Sequence, residues 1–97
     1  MKANRRDANE SEIVAALRAV GADVVPVERM PFDLVCGYRH QSYLLEVKQP
    51  KGKLKPSQVA FRQSWRGHYA IVRSADEALI AIGAIQSVRV AKGRVNA

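Results

Sequence analysis

Cysteine is almost missing from this chain, acidic residues are few, and no run of apolar residues is long. The single Cys36 cannot close an internal disulfide and has no CxxC partner. No segment approaches the roughly 20 apolar residues of a membrane span. The opening MKANRRDANE lacks the apolar stretch of a signal peptide. The expected location is therefore a reducing, cytoplasmic one. His40 and His68 have no spaced His, Cys or acidic partner, so both are expected to be solvated rather than zinc ligands. There is no P-loop, glycine-rich dinucleotide fingerprint or Ser/His/Asp set, and no nucleotide cofactor is expected.

The shortage of acids leaves a charge imbalance. Sixteen Lys and Arg face nine Asp and Glu, a formal net charge of +7. That balance favours a polyanionic partner, nucleic acid first among them. Most of the acids sit in RDANESE and SADEAL, which isolates Asp33 and Glu46 in apolar surroundings. With 97 residues and 47% hydrophobic content the chain can build one hydrophobic core but not two. A single domain over 1–97 is expected, its core spanning about 7–83 and a basic tail covering 84–97.

The pattern along the chain predicts α/β architecture in the order αβββαβα with a mixed central sheet. DANESEIVAALRAVGADV reads as a helix that Asp7 or Asn9 can cap and Gly21 can stop, with Ile13, Val14, Leu17 and Val20 as its buried stripe. VVPVE (24–28) is a short strand, with Pro26 pointing to an edge or a bulge. FDLVCGY (32–38) and SYLLEVK (42–48) are two more strands, expected to pair antiparallel across a tight turn. A Pro/Gly-broken loop carries Lys48, Lys51, Lys53 and Lys55 without one acid, and SQVAFRQSWRG (57–67) follows as an amphipathic helix opened by Pro56. Phe61 and Trp65, four residues apart, suit a helix face packed on the sheet. YAIVR (69–73) is the fourth strand, and Ser74 with Glu77 makes a capping-box pattern for a last helix, 74–83. SVRVAKGRVNA is a last short strand or a frayed end.

Strand alternation puts Asp33 and Val35 on one face, and Phe32, Leu34 and Cys36 on the other, where Cys36 is a core residue. Leu44, Glu46 and Lys48 likewise share a face. If the second and third strands pair, Asp33 and Glu46 come side by side with Lys48 just beyond. Two converging carboxylates are costly to bury without a counter-charge. A divalent ion such as Mg²⁺ relieves that cost, since it seeks oxygen ligands. A charged lysine is no ligand, but it can orient a water or stabilise charge on a phosphate. Glu-x-Lys alone is commonly a structural ion pair; the added Asp33 and the basic loop favour the metal site.

PFD and LLEVK resemble the two halves of the PD-(D/E)xK nuclease motif, and the αβββαβ order is that of the superfamily's restriction-endonuclease-like core. More narrowly, the chain is similar to small phage-type proteins of the VRR-NUC group, whose standalone members resemble Holliday junction resolvases. The resemblance implies that Asp33 and Glu46 bind Mg²⁺, with Mn²⁺ able to substitute. It also implies that the Val47 carbonyl completes the inner shell and that Lys48 assists the attacking water. A first-helix glutamate usually joins such sites; Glu10 and Glu12 compete for that role and Glu12 is favoured. Gln58 matches a polar position that borders the site. Pro31 is displaced by one residue from the family's place, and no glycine precedes it.

The expected activity is therefore a metal-dependent, structure-specific DNA endonuclease in a bacterial or phage-infected cell. Lys51, Lys53, Lys55 and Arg62 or Arg66 would hold the DNA backbone without reading sequence. One active site per small domain and two strands to cut make a symmetric homodimer the simplest assembly. The rival expectation is a non-catalytic basic DNA-binding module with the same fold.

Overall fold

The computed structural model describes residues 9–28 and 31–86. Asp7 and the segment 87–97, for which a cap and a strand or frayed end are expected, lie outside the described residues. The element order is α1 (Glu10–Ala19), β1 (Asp23–Pro26), β2 (Leu34–Tyr38), β3 (Gln41–Val47), α2 (Pro56–Ser64), β4 (His68–Val72) and α3 (Ala75–Ala81). The sequence-predicted order is thus found, in a mixed four-stranded sheet of order β1-β2-β3-β4. β1, β2 and β3 are antiparallel neighbours, and β4 joins β3 in parallel after the α2 crossover. Pro26 lies on the edge strand β1, where its missing N–H interrupts no ladder on the outer side. No helix among the described residues is long and apolar enough to cross a membrane.

One sheet face makes the core. Val24, Leu34, Cys36, Leu45, Val47 and Val72 are buried with Ile13 and Leu17 of α1 and with Ala78 of α3 and Ile82 just beyond it. α1 and α3 pack on each other as well as on this face. Burial holds the Cys36 thiol above its ordinary range, with a further push from the Asp23 charge, as suits an inert core residue. Gly21, at φ +90°, ends α1. The Ala22 and Gly21 amides turn back to the Leu17 and Arg18 carbonyls, a left-handed stop that a side chain would strain.

Some local expectations are corrected. Val20 leaves the apolar stripe and is exposed, because α1 ends at Ala19. Asn9 occupies the N-cap position but makes no capping bond. Its amide instead donates to the Lys48 and Arg73 carbonyls at 3.1 and 3.0 Å, tying the start of α1 to the ends of β3 and β4. Phe32 does not join Leu34 and Cys36 in the core cluster. The chain bends at residues 31–33, so alternation fails there, and the Phe32 ring lies 5.7 Å from Phe61. Only half of the Ser74–Glu77 box closes: Ser74 Oγ accepts the Glu77 N–H, while Glu77 itself accepts the Arg73 N–H.

Candidate functional site

The second sheet face carries Val35, Leu44, Glu46, Tyr69 and Ile71, which the strand registers place side by side. α2 covers part of this face: Gln58 reaches Glu46, and Phe61 meets the Tyr69 ring edge-on at 5.2 Å. The β2–β3 ladder begins at Leu34, paired with Leu45, and Asp33, expected on the strand, lies one residue outside it in the bend. The Asp33 amide still donates to the Leu45 carbonyl at 2.9 Å, and its carboxylate takes over the next bond, accepting the Val47 N–H at 2.8 Å. A side chain thus ends the ladder and fixes the acid beside β3.

Glu46 is 3% exposed, and its two oxygens differ sharply. Oε2 accepts a hydrogen bond from Gln58 Nε2 at 2.8 Å and lies 3.6 Å from Lys48 Nζ. Oε1 is buried with no hydrogen-bond partner among the described residues. Burial pushes the Glu46 carboxyl up to about 7, and the Asp33 charge adds to the rise; Lys48 and Gln58 oppose it without cancelling it. An unpartnered buried carboxylate oxygen costs on the order of 1–3 kcal/mol or more. Pairing with Lys48 therefore leaves the site unsatisfied.

Gln58 belongs to the site more tightly than a bordering position. It is buried, and as the third residue of α2 its Oε1 accepts the Lys55 N–H at 2.8 Å while its amide nitrogen serves Glu46. Lys55 cannot cap a helix with its own side chain, so Gln58 supplies the missing acceptor. The same residue starts the helix and orients the acid.

The first-helix glutamates divide opposite to expectation. Glu12, the favoured residue, is exposed, whereas Glu10 is buried at 6% exposure. Glu10 directly follows Asn9, whose amide is anchored to the Lys48 and Arg73 carbonyls, so α1 enters at the ends of β3 and β4 with position 10 inward. Among the described residues no three His, Cys, Asp or Glu side chains gather into a metal-binding group. Asp33 and Glu46 stand as a pair. Neither Glu10 nor Glu12 completes a trio with them.

Lys51, Lys53, Lys55, Arg62 and Arg66 are all exposed, as a phosphate-contacting set must be. The loop that carries the three lysines is held by Arg73, whose guanidinium donates to the Gln49 and Gly52 carbonyls, each at 2.8 Å. Sequence reasoning missed that staple, and also Tyr69. The Tyr69 phenol is raised to about 12, first by burial and then by the Glu46 charge, with Arg62 opposing and Asp33 adding. Tyr69 lies on the same sheet face as Glu46, whose partner across the register is Ile71. Its hydroxyl donates to the Pro31 carbonyl at 3.3 Å, beside the Asp33 bend. The available signal was its place two residues before Ile71 on a strand adjoining β3.

His68 is exposed, stacked on Tyr43 and 3.0 Å from the Gln41 side chain; His40 is exposed in the β2–β3 turn. Trp65 departs from the expected packing and is 44% exposed. No family model, curated protein or solved structure matches this chain.

Proposed function

We propose that the protein is a Mg²⁺-dependent DNA endonuclease of PD-(D/E)xK type, hydrolysing phosphodiester bonds at branched DNA such as Holliday junctions. The observation that carries this reading is the buried, unpartnered Oε1 of Glu46 beside a second carboxylate and a lysine. The donor set fits a hard divalent cation: all its ligating atoms are oxygen, and one of them has nothing else to bind. Asp33, Glu46 and the Val47 carbonyl would hold Mg²⁺ or Mn²⁺, which would polarise the scissile phosphate and acidify a water. Lys48 orients the attacking water and offsets negative charge that develops on the phosphate. Gln58 holds the Glu46 carboxylate in place by its bond to Oε2.

Lys51, Lys53 and Lys55, with Arg62 and Arg66, hold the DNA backbone. Such contacts position a duplex without reading its sequence, so recognition is of shape or branching. A homodimer supplies the two sites needed for paired incisions that leave 5′-phosphate and 3′-hydroxyl ends.

The test is cleavage of labelled single strand, duplex, flap and four-way junction with Mg²⁺, Mn²⁺ or EDTA. Metal-dependent cutting of the junction should be abolished in Asp33→Ala and Lys48→Ala and unchanged in Glu12→Gln. Binding without cutting under every condition would replace the nuclease with the non-catalytic module.

A further inference from the structure

The aromatic residues of this chain are few, yet four of them form a continuous run. Phe32 lies 5.7 Å from Phe61, Tyr69 meets Phe61 edge-on at 5.2 Å, and Trp65 stacks on Phe61 at 5.2 Å with the rings 20° apart. The inner end, Tyr69, shares the sheet face of Glu46, and its hydroxyl reaches the Pro31 carbonyl beside the bend that holds Asp33. The outer end, Trp65, is 44% exposed just past the end of α2. The run leads from the carboxylates to solvent.

An exposed tryptophan usually needs no explanation, but this one has a prepared seat. Phe61 supports its ring. At Gly67 a Cβ would sit 2.8 Å from Trp65 Nε1, so only glycine leaves the indole room where the chain turns into β4. Arg62 and Arg66, on either side in sequence, are exposed and have no carboxylate partner among the described residues. A flat exposed π surface with two arginines near it in sequence matches one kind of occupant: an unpaired nucleobase, with its flanking phosphates on the arginines. Exposed apolar area alone would not choose among partners; the charge around it does.

We propose that Trp65 is a stacking platform for an unpaired nucleobase, so that the DNA bound here includes a single-stranded or frayed segment leading into the Asp33–Glu46 site. This deepens the nucleic-acid reading above and rests on it. A branched or frayed substrate offers such a base, whereas every base of a closed linear duplex is already stacked.

Trp65 is the only tryptophan of the chain, so its fluorescence reports on this position alone. Titration in EDTA would compare oligo(dT), an abasic strand of equal length and a blunt duplex, with binding followed separately by anisotropy of a labelled strand. Oligo(dT) should quench the fluorescence and the abasic strand should not. Trp65→Leu should bind oligo(dT) roughly ten- to a hundredfold more weakly, and Trp65→Phe should recover most of the loss. Equal quenching by the abasic strand would overturn the stacking. So would oligo(dT) binding without quenching and with Trp65→Leu unaffected, although DNA binding itself would survive that result. No binding of any strand by anisotropy would overturn the nucleic-acid reading and the platform together.

Discussion

Replacing Glu46 by glutamine should stabilise the metal-free protein and, under the proposed function, abolish cleavage. The carboxyl has an ordinary value near 4.5 and is pushed up to about 7 by burial and by Asp33. A group whose folded value is raised keeps its full stability below the unfolded value and loses it as pH climbs to the folded one. Wild type should therefore lose stability between about pH 4.5 and 7, by a ceiling of about 3 kcal/mol at roughly 1.4 kcal/mol per pH unit. Glutamine is neutral throughout. Its carbonyl can keep accepting from Gln58, and its NH₂ takes the place of Oε1. The pull of Lys48 already lowers the value that burial and Asp33 raise, and relaxation around the buried charge keeps the expected gain at pH 8 below that ceiling, at about 2 kcal/mol.

Urea unfolding in EDTA reads the difference directly. With a slope of about 1–2 kcal/mol per molar for a domain of this size, the midpoint of Glu46→Gln should lie about 1–2 M above wild type at pH 8. At pH 4.5 the two proteins should nearly coincide. Under the proposed function, Mg²⁺ at pH 8 should raise the wild-type midpoint and leave the variant unmoved. A variant less stable than wild type at pH 8, or a gap that does not change with pH, would refute the account of a carboxylate strained by burial and by its neighbour.

Two further outcomes follow from local geometry. Arg39 and His40 both adopt left-handed backbone, φ 51° and 67°, to turn β2 into β3; Arg39→Asn with His40→Gly should raise stability by about 1–2 kcal/mol, seen as a higher Tm. Arg73→Met removes the guanidinium that gathers the Gln49 and Gly52 carbonyls; limited trypsin digestion at Lys51 and Lys53 should then run severalfold faster, with the sheet still folded by circular dichroism.

The order of elements was legible because their signals are local. Gly21, Pro56 and Ser74 mark helix ends, and the alternation in SYLLEVK survives in β3. The antiparallel pairing of β2 with β3 was legible too, since a tight turn between two strands fixes their register, although Asp33 itself falls just outside the paired residues. What failed depended on three-dimensional placement. Glu10 and Glu12 are equally good first-turn acids; only the anchoring of Asn9 to the ends of β3 and β4 decides which one turns inward. Phe32 followed the core pattern on paper, but the bend at 31–33 sends its ring to Phe61. Trp65 and Phe61 were right as a pair and wrong in depth, because α2 ends at Ser64 and leaves the indole outside.

The arrangement around Glu46 also bears on whether a plain ion pair would explain it. A Glu–Lys pair selected for stability alone would satisfy both carboxylate oxygens, because a buried charge left half-bonded costs more than the pair returns. Here Lys48 and Gln58 both approach Oε2, and Oε1 is left bare. A second acid is then fixed beside it by a backbone hydrogen bond that any polar acceptor could make, so Asn at position 33 would keep the fold and remove the repulsion. Cohesion alone gives no account of this combination among the described residues: a second acid that raises the Glu46 carboxyl, one oxygen without a partner and a lysine beside the other. Under the proposed function, a bound cation would relieve that cost.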